Sequence, residues 1–183
     1  MVSELEQLTD KPVQVHIDPT FLKSAEEWRK LQKPRKVKEP YILVYPLYWD
    51  SRLNDQLKQL KRQTGYEIIS IHSGLRNIYA DRVIRDADAG EFLWLVDHAQ
   101  CVVTSSFHGV AFSTIFNKKY SAVINPAAPS RIENILNVLG IKTPDITGCI
   151  SEFDADYAAV NRRIQKEKTR SLSYLRGVIF GET

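Results

Sequence analysis

The stretch Ala99-Gln100-Cys101-Val102-Val103-Thr104-Ser105-Ser106-Phe107-His108-Gly109-Val110-Ala111-Phe112-Ser113-Thr114-Ile115-Phe116 decides the fold. Cys101 to Val103 predicts a short buried strand, Thr104 to Ser106 a turn of small polar residues, and His108-Gly109 the entry to an apolar helix. A strand that turns straight into a helix presents unpaired backbone N–H groups at the helix start, where hydrogen bonds and the helix dipole both favour an anion. His108 stands beside those donors and can carry a proton or a positive charge near neutral pH, which suits a phosphate clamp or a general acid. A structural cap or a packing role is the competing reading of the same residue.

Working outward, strands and helices alternate. Tyr41 to Tyr45 is a continuous apolar run bounded by prolines, as in a strand buried on both faces. Leu53, Leu57 and Leu60 recur at helical spacing within 51–64, and Gly65 closes that helix. Tyr66 to His72 reads as the next strand, Glu91 to His98 as a helix, and Tyr120 to Ile124 as a strand after the motif. Ser130 caps a further helix buried through Ile132, Ile135, Leu136 and Leu139 and ended by Gly140. Upstream, Val13 to Ile17 alternates as a strand would, and Ser24 caps a helix through Leu31 that Trp28 packs on the body.

Such alternation predicts an α/β fold, a Rossmann-like and mostly parallel sheet with helices on both faces, whose ligands sit beyond the C-terminal ends of the strands. The loops after Tyr45, His72 and Val103 then share one rim. That adds Tyr48, Trp49, Asp50, His72, Ser73 and Arg76 to the candidates. Residues 75–88, with three arginines among three aspartates, read as a charged loop. The six basic residues from Arg29 to Lys38 read as a solvated connector. Residues 1–12 form a loose lead-in, residues 13–183 one domain, and residues from about 156 to 179 a long basic amphipathic helix.

The chain has 183 residues, 43% hydrophobic and 26% charged, which fits one globular domain with a full core. A net charge of +3 suits an anionic ligand and falls short of a nucleic-acid footprint. No run approaches the roughly 18 apolar residues of a spanning helix, and the start lacks a leader pattern. Cys101 and Cys149 show neither metal-ligand spacing nor a disulfide framework, which favours a reducing cytoplasm, with a peripheral place at the inner face of the membrane as a further option. No metal cluster is legible.

The run Val-Val-Thr-Ser-Ser-Phe-His-Gly-Val-Ala-Phe-Ser at 102–113 resembles the signature of the polysaccharide pyruvyl transferase family, a Ser/Arg-Phe-His-Gly step before an apolar helix. Ile17-Asp18-Pro19-Thr20-Phe21-Leu22 with Glu27-Trp28, Gly90-Glu91-Phe92, and Ser130-Arg131-Ile132 fit the family in the same order. Many relatives have Arg where this chain has Ser106, so an anion contact made by that Arg is missing here or supplied elsewhere.

The resemblance implies a fold like the C-terminal domain of B-type glycosyltransferases, and the C-terminal half of a two-domain enzyme whose N-terminal domain is missing here. It implies pyruvyl transfer from phosphoenolpyruvate, as donor substrate and without a cofactor, to a glycan or lipid-linked sugar acceptor in surface polysaccharide synthesis. His108 is the catalytic candidate. Ser105, Ser106, the Gly109 N–H and Arg131 would hold anionic groups, with His72, Ser73 and Arg76 on the same rim. Two other readings stay open: a donor-binding domain of a glycosyltransferase that uses a nucleotide sugar, and a non-catalytic binding module.

Overall fold

A computed structural model describes residues 7–10, 13–72, 74, 78–127 and 131–181. Five parallel strands form one sheet: β1 (Tyr41–Tyr45), β2 (Glu67–Ile71), β3 (Arg82–Ile84), β4 (Cys101–Thr104) and β5 (Tyr120–Ala122), in the order β3-β2-β1-β4-β5. The helices are α1 (Ala25–Arg29), α2 (Leu53–Thr64), α3 (Ala89–His98), α4 (Phe107–Ile115), α5 (Arg131–Leu139) and α6 (Tyr157–Phe180), with a 3-10 turn at Pro19–Leu22. This is the Rossmann-like α/β architecture.

The apolar run of β1 is continuous because the strand serves two cores. Tyr41 and Leu43 join the cluster built by α3, α4 and α5, while Ile42 and Val44 pack with Leu57 and Leu60 of α2 and with Ile146 and Cys149 of the 142–150 segment. Leu57 and Leu60 are fully withdrawn from water, each worth about 1.5–3 kcal/mol relative to exposure. Gly65 ends α2 with φ +70°, and its N–H returns to the Lys61 carbonyl, the left-handed stop for which glycine has no steric penalty.

Three expectations are corrected. Val13 to Ile17 is not a strand: Ile17 N–H and His16 Nδ1 meet the Ser171 hydroxyl of α6 at 3.4 and 3.3 Å, so the segment is pinned to a helix and has no neighbouring strand to pair with. Within 75–88, Arg82–Ile84 is an edge strand whose first two residues face solvent, which removes the periodic signal. The basic connector is solvated as expected, with Arg29, Lys30, Lys33, Lys36 and Lys38 exposed, and it is also ion-paired to α3: Arg29 meets Asp97 at 2.8 Å, Lys33 meets Asp88 at 2.6 Å, and Arg35 reaches Glu91 and Asp86. Finally, Cys101 and Cys149 form a disulfide between β4 and the 142–150 segment, 48 residues apart. Separation along the chain gave no view of that adjacency, and paired cysteines no longer favour a reducing compartment.

The chain grows outward from β1 through β2 to β3, then returns over α3 to β4 on the other side of β1. The direction of winding therefore reverses between β1 and β4. In open α/β sheets the crevice beyond the C-terminal ends of such a pair is where ligands bind. The motif lies there.

Candidate functional site

Thr104 ends β4, and its hydroxyl donates to the Tyr45 carbonyl at the end of β1 (2.6 Å) while accepting the Ser106 N–H (3.0 Å). Ser105 Oγ accepts from the N–H groups of Leu47 and Tyr48 at 2.9 and 2.8 Å and donates to the Tyr48 carbonyl at 2.7 Å. These bonds fasten the loop after β1 to the turn after β4. They also reassign two candidates: the Ser105 hydroxyl is spent on that loop, and Ser106 is buried with its N–H already donated.

Past this turn, α4 begins without a side-chain cap. The N–H groups of Phe107, His108 and Gly109 thus open the helix with no acceptor inside it, the arrangement that favours an anion. His108 is exposed at the second helical position, its ring set edge-on to Phe107 at 5.6 Å. Gly109 is there for space: a Cβ would lie 2.9 Å from both Cβ and Cγ2 of Thr104 and closer still to Oγ1. Gly109 itself is buried.

Arg131, the first residue of α5, lays its guanidinium 4.2 Å over the Phe107 ring and meets Asp18 Oδ2 at 3.0 Å. It therefore stands next to the motif as a cation whose charge Asp18 partly answers. A rim of α4 donors, His108, Phe107 and Arg131 is what the structure brings together.

His72 follows β2 and lines a cavity of about 470 Å3, shared with Tyr45, Leu47 and Arg85. Burial, and then the Arg85 charge, push its imidazole below the ordinary histidine range, so the neutral ring is favoured. Its Nδ1 is buried without a hydrogen-bond partner among the described residues. Ser73 and Arg76 lie outside the described residues. Of the other rim candidates, Trp49 donates to Asn54 and Asp50 is committed to Arg52, whose hydrogen bonds hold its carboxyl down at about 2. Among the described residues no group of three or more His, Cys, Asp or Glu is placed to hold a metal ion. No described helix is long and apolar enough to cross a membrane.

Thr104 and Phe107 were candidates only as members of the motif, and Asp18 had no assigned role from the sequence. Asp18 reaches Arg131 across 113 positions, which no local pattern reveals. Gly109 is the one local clue to Thr104, since a glycine inside an apolar helix signals a close approach.

Residues 4–120 match the polysaccharide pyruvyl transferase family. The chain belongs to the polysaccharide pyruvyl transferase family. The matched span carries the His108 motif and Asp18, and stops before Arg131. No curated protein matches the chain. Among solved structures, the glycosyltransferase SnogD from Streptomyces nogalater is similar at a TM-score of 0.44 and 10% identity, over 78% of this chain and 43% of that one. The chain thus spans less than half the length of that structure.

Proposed function

We propose that this domain binds phosphoenolpyruvate and takes part in transferring its pyruvyl group, as a ketal, to a pair of hydroxyls on a sugar of a surface polysaccharide precursor. The observation that carries the reading is His108, exposed at the uncapped start of α4 beside the β1/β4 switch point, inside the span that matches the family. Membership alone would give the class of reaction; the placement gives the residues something to do.

In this mechanism His108 lies where a proton can pass to the enol carbon, turning the methylene into a methyl group and leaving positive charge at C2. One sugar hydroxyl adds to C2, phosphate departs with its bonding electrons, and the second hydroxyl closes the ketal as both hydroxyl protons are released. The α4 N–H groups face the departing phosphate or the carboxylate, and fixed donors of this kind stabilise charge where it develops. Arg131 supplies a guanidinium next to the motif in a chain that has Ser106 where many relatives carry Arg. Family members have two such halves across a cleft, and transfer on this reading needs both walls. The chain alone is accordingly expected to bind donor with little turnover.

Calorimetry with phosphoenolpyruvate and, separately, with nucleotide sugars tests the proposal. Saturable binding of phosphoenolpyruvate is expected. Saturable nucleotide-sugar binding with none of phosphoenolpyruvate would instead mark a glycosyltransferase donor domain and refute the proposal.

A further inference from the structure

Beyond the motif, a cavity of about 510 Å3 opens between the Val15–Leu22 segment, α5 and α6, well within the size range of small-molecule sites. Its walls are apolar, from Leu22, Ile135, Val138 and Leu175, with the aromatic faces of Phe107 and Tyr174. Tyr174 is braced by stacking on His16 at 4.4 Å and stays partly exposed. Four charged groups sit among these walls in two matched pairs: Arg131 with Asp18 at 3.0 Å, and Arg170 with Glu167 at 2.6 Å.

The pairing decides the class of occupant. Two cations answered by two carboxylates give those four groups no net charge, so a diphosphate or a small anion gains little Coulombic attraction there. A purely apolar occupant would strip water from all four charges without replacing their hydrogen bonds, which is costly. A neutral sugar meets both conditions. Its C–H faces could lie against Tyr174 and Leu175, while its hydroxyls could donate to the spare lone pairs of Asp18 and Glu167 and accept from the arginines and Asn134.

We propose that this cavity is a saccharide subsite. Phe107 lines it directly before His108 in sequence, and Arg131 spans from it to the motif. An occupant would therefore be a sugar next to the one that reacts; this last placement rests on the function proposed above, whereas saccharide binding itself does not.

The test is a titration of the 15N-labelled chain with lactose, cellobiose and chitobiose as neutral probes, followed by amide shifts, with phosphoenolpyruvate titrated in a parallel sample. Saturable shifts at Val15 to Asp18 and at Glu167 to Leu175 are expected with at least one disaccharide. Tyr174→Ala should weaken that binding by about tenfold, the loss of one stacking face, while Tyr174→Phe retains it. The proposal is overturned if none of the three disaccharides gives saturable shifts, if the shifts map elsewhere, or if Tyr174→Ala binds as tightly as the unaltered chain. The disaccharide result decides the cavity whichever way the phosphoenolpyruvate titration falls, so the two proposals can fail separately.

Discussion

Gly109→Ala sets helix propensity against packing. Inside a helix, alanine in place of glycine is favoured by about 1 kcal/mol, and on that ground the substitution would stabilise α4. The structure predicts the opposite. The new methyl would meet the Thr104 side chain, with Cβ and Cγ2 at 2.9 Å and Oγ1 nearer. Thr104 has nowhere to retreat: it is fully buried, and its hydroxyl is held by the Tyr45 carbonyl and the Ser106 N–H. Overpacking costs about 1–3 kcal/mol, and turning Thr104 aside forfeits two hydrogen bonds of about 1 kcal/mol each. Against the propensity gain, the net loss is about 4 kcal/mol at the upper end of the overpacking range and about 3 kcal/mol nearer its middle. For a chain of this size that lowers Tm by about 6–16 °C, readable by thermal denaturation followed by circular dichroism. The same change should cost less in a Thr104→Ala background, because part of the clash is then gone. A Tm for Gly109→Ala equal to or above that of the unaltered chain would refute the packing argument.

Other perturbations probe neighbouring parts of the account. Cys149→Ala opens a loop of 48 residues and should lower unfolding stability by about 4 kcal/mol, with reductant lowering the urea midpoint of the unaltered chain and leaving that of the variant unmoved. Ser105→Ala removes the three bonds that its hydroxyl makes to the loop after β1, so the Leu47 and Tyr48 amides should exchange faster with solvent and stability should fall by about 1–3 kcal/mol. His72 binds its proton less readily folded than unfolded. Its contribution to stability is therefore complete above the ordinary value of 6.5 and is lost as pH falls through the lower folded value; His72→Asn should flatten the decline that urea titrations show as pH falls below 6.5.

The parts of the fold carried by local pattern were legible in the sequence. The buried runs of β1, β2 and β4, the leucine spacing of α2 and the glycine stop after it follow from periodicity and turn chemistry, and their alternation implied the parallel sheet. What escaped has a common cause, which is partnership across long separations. β3 exists because β2 offers it an edge, the basic connector is ordered by acids more than 50 residues away on and around α3, and Cys101 meets Cys149 only once the 142–150 segment covers the sheet. At the site, His108 and Gly109 stand out in a local motif, whereas the use of the Ser105 hydroxyl to pin a loop could be read only with β1 and β4 side by side. Arg131 is a related case. Its place at a helix start, against the dipole, singles it out, but its partner Asp18 lies 113 positions away.

The central claim, that His108 and the start of α4 hold the donor, is tested most directly by comparing phosphoenolpyruvate binding to the unaltered chain and to His108→Ala by isothermal titration calorimetry. His108 is exposed, so the variant should keep its fold, which an unchanged Tm would verify. The account predicts saturable binding that His108→Ala weakens by about tenfold or more, the scale of one charge-assisted hydrogen bond. Equal affinity in the two proteins, or no binding to either, would contradict it.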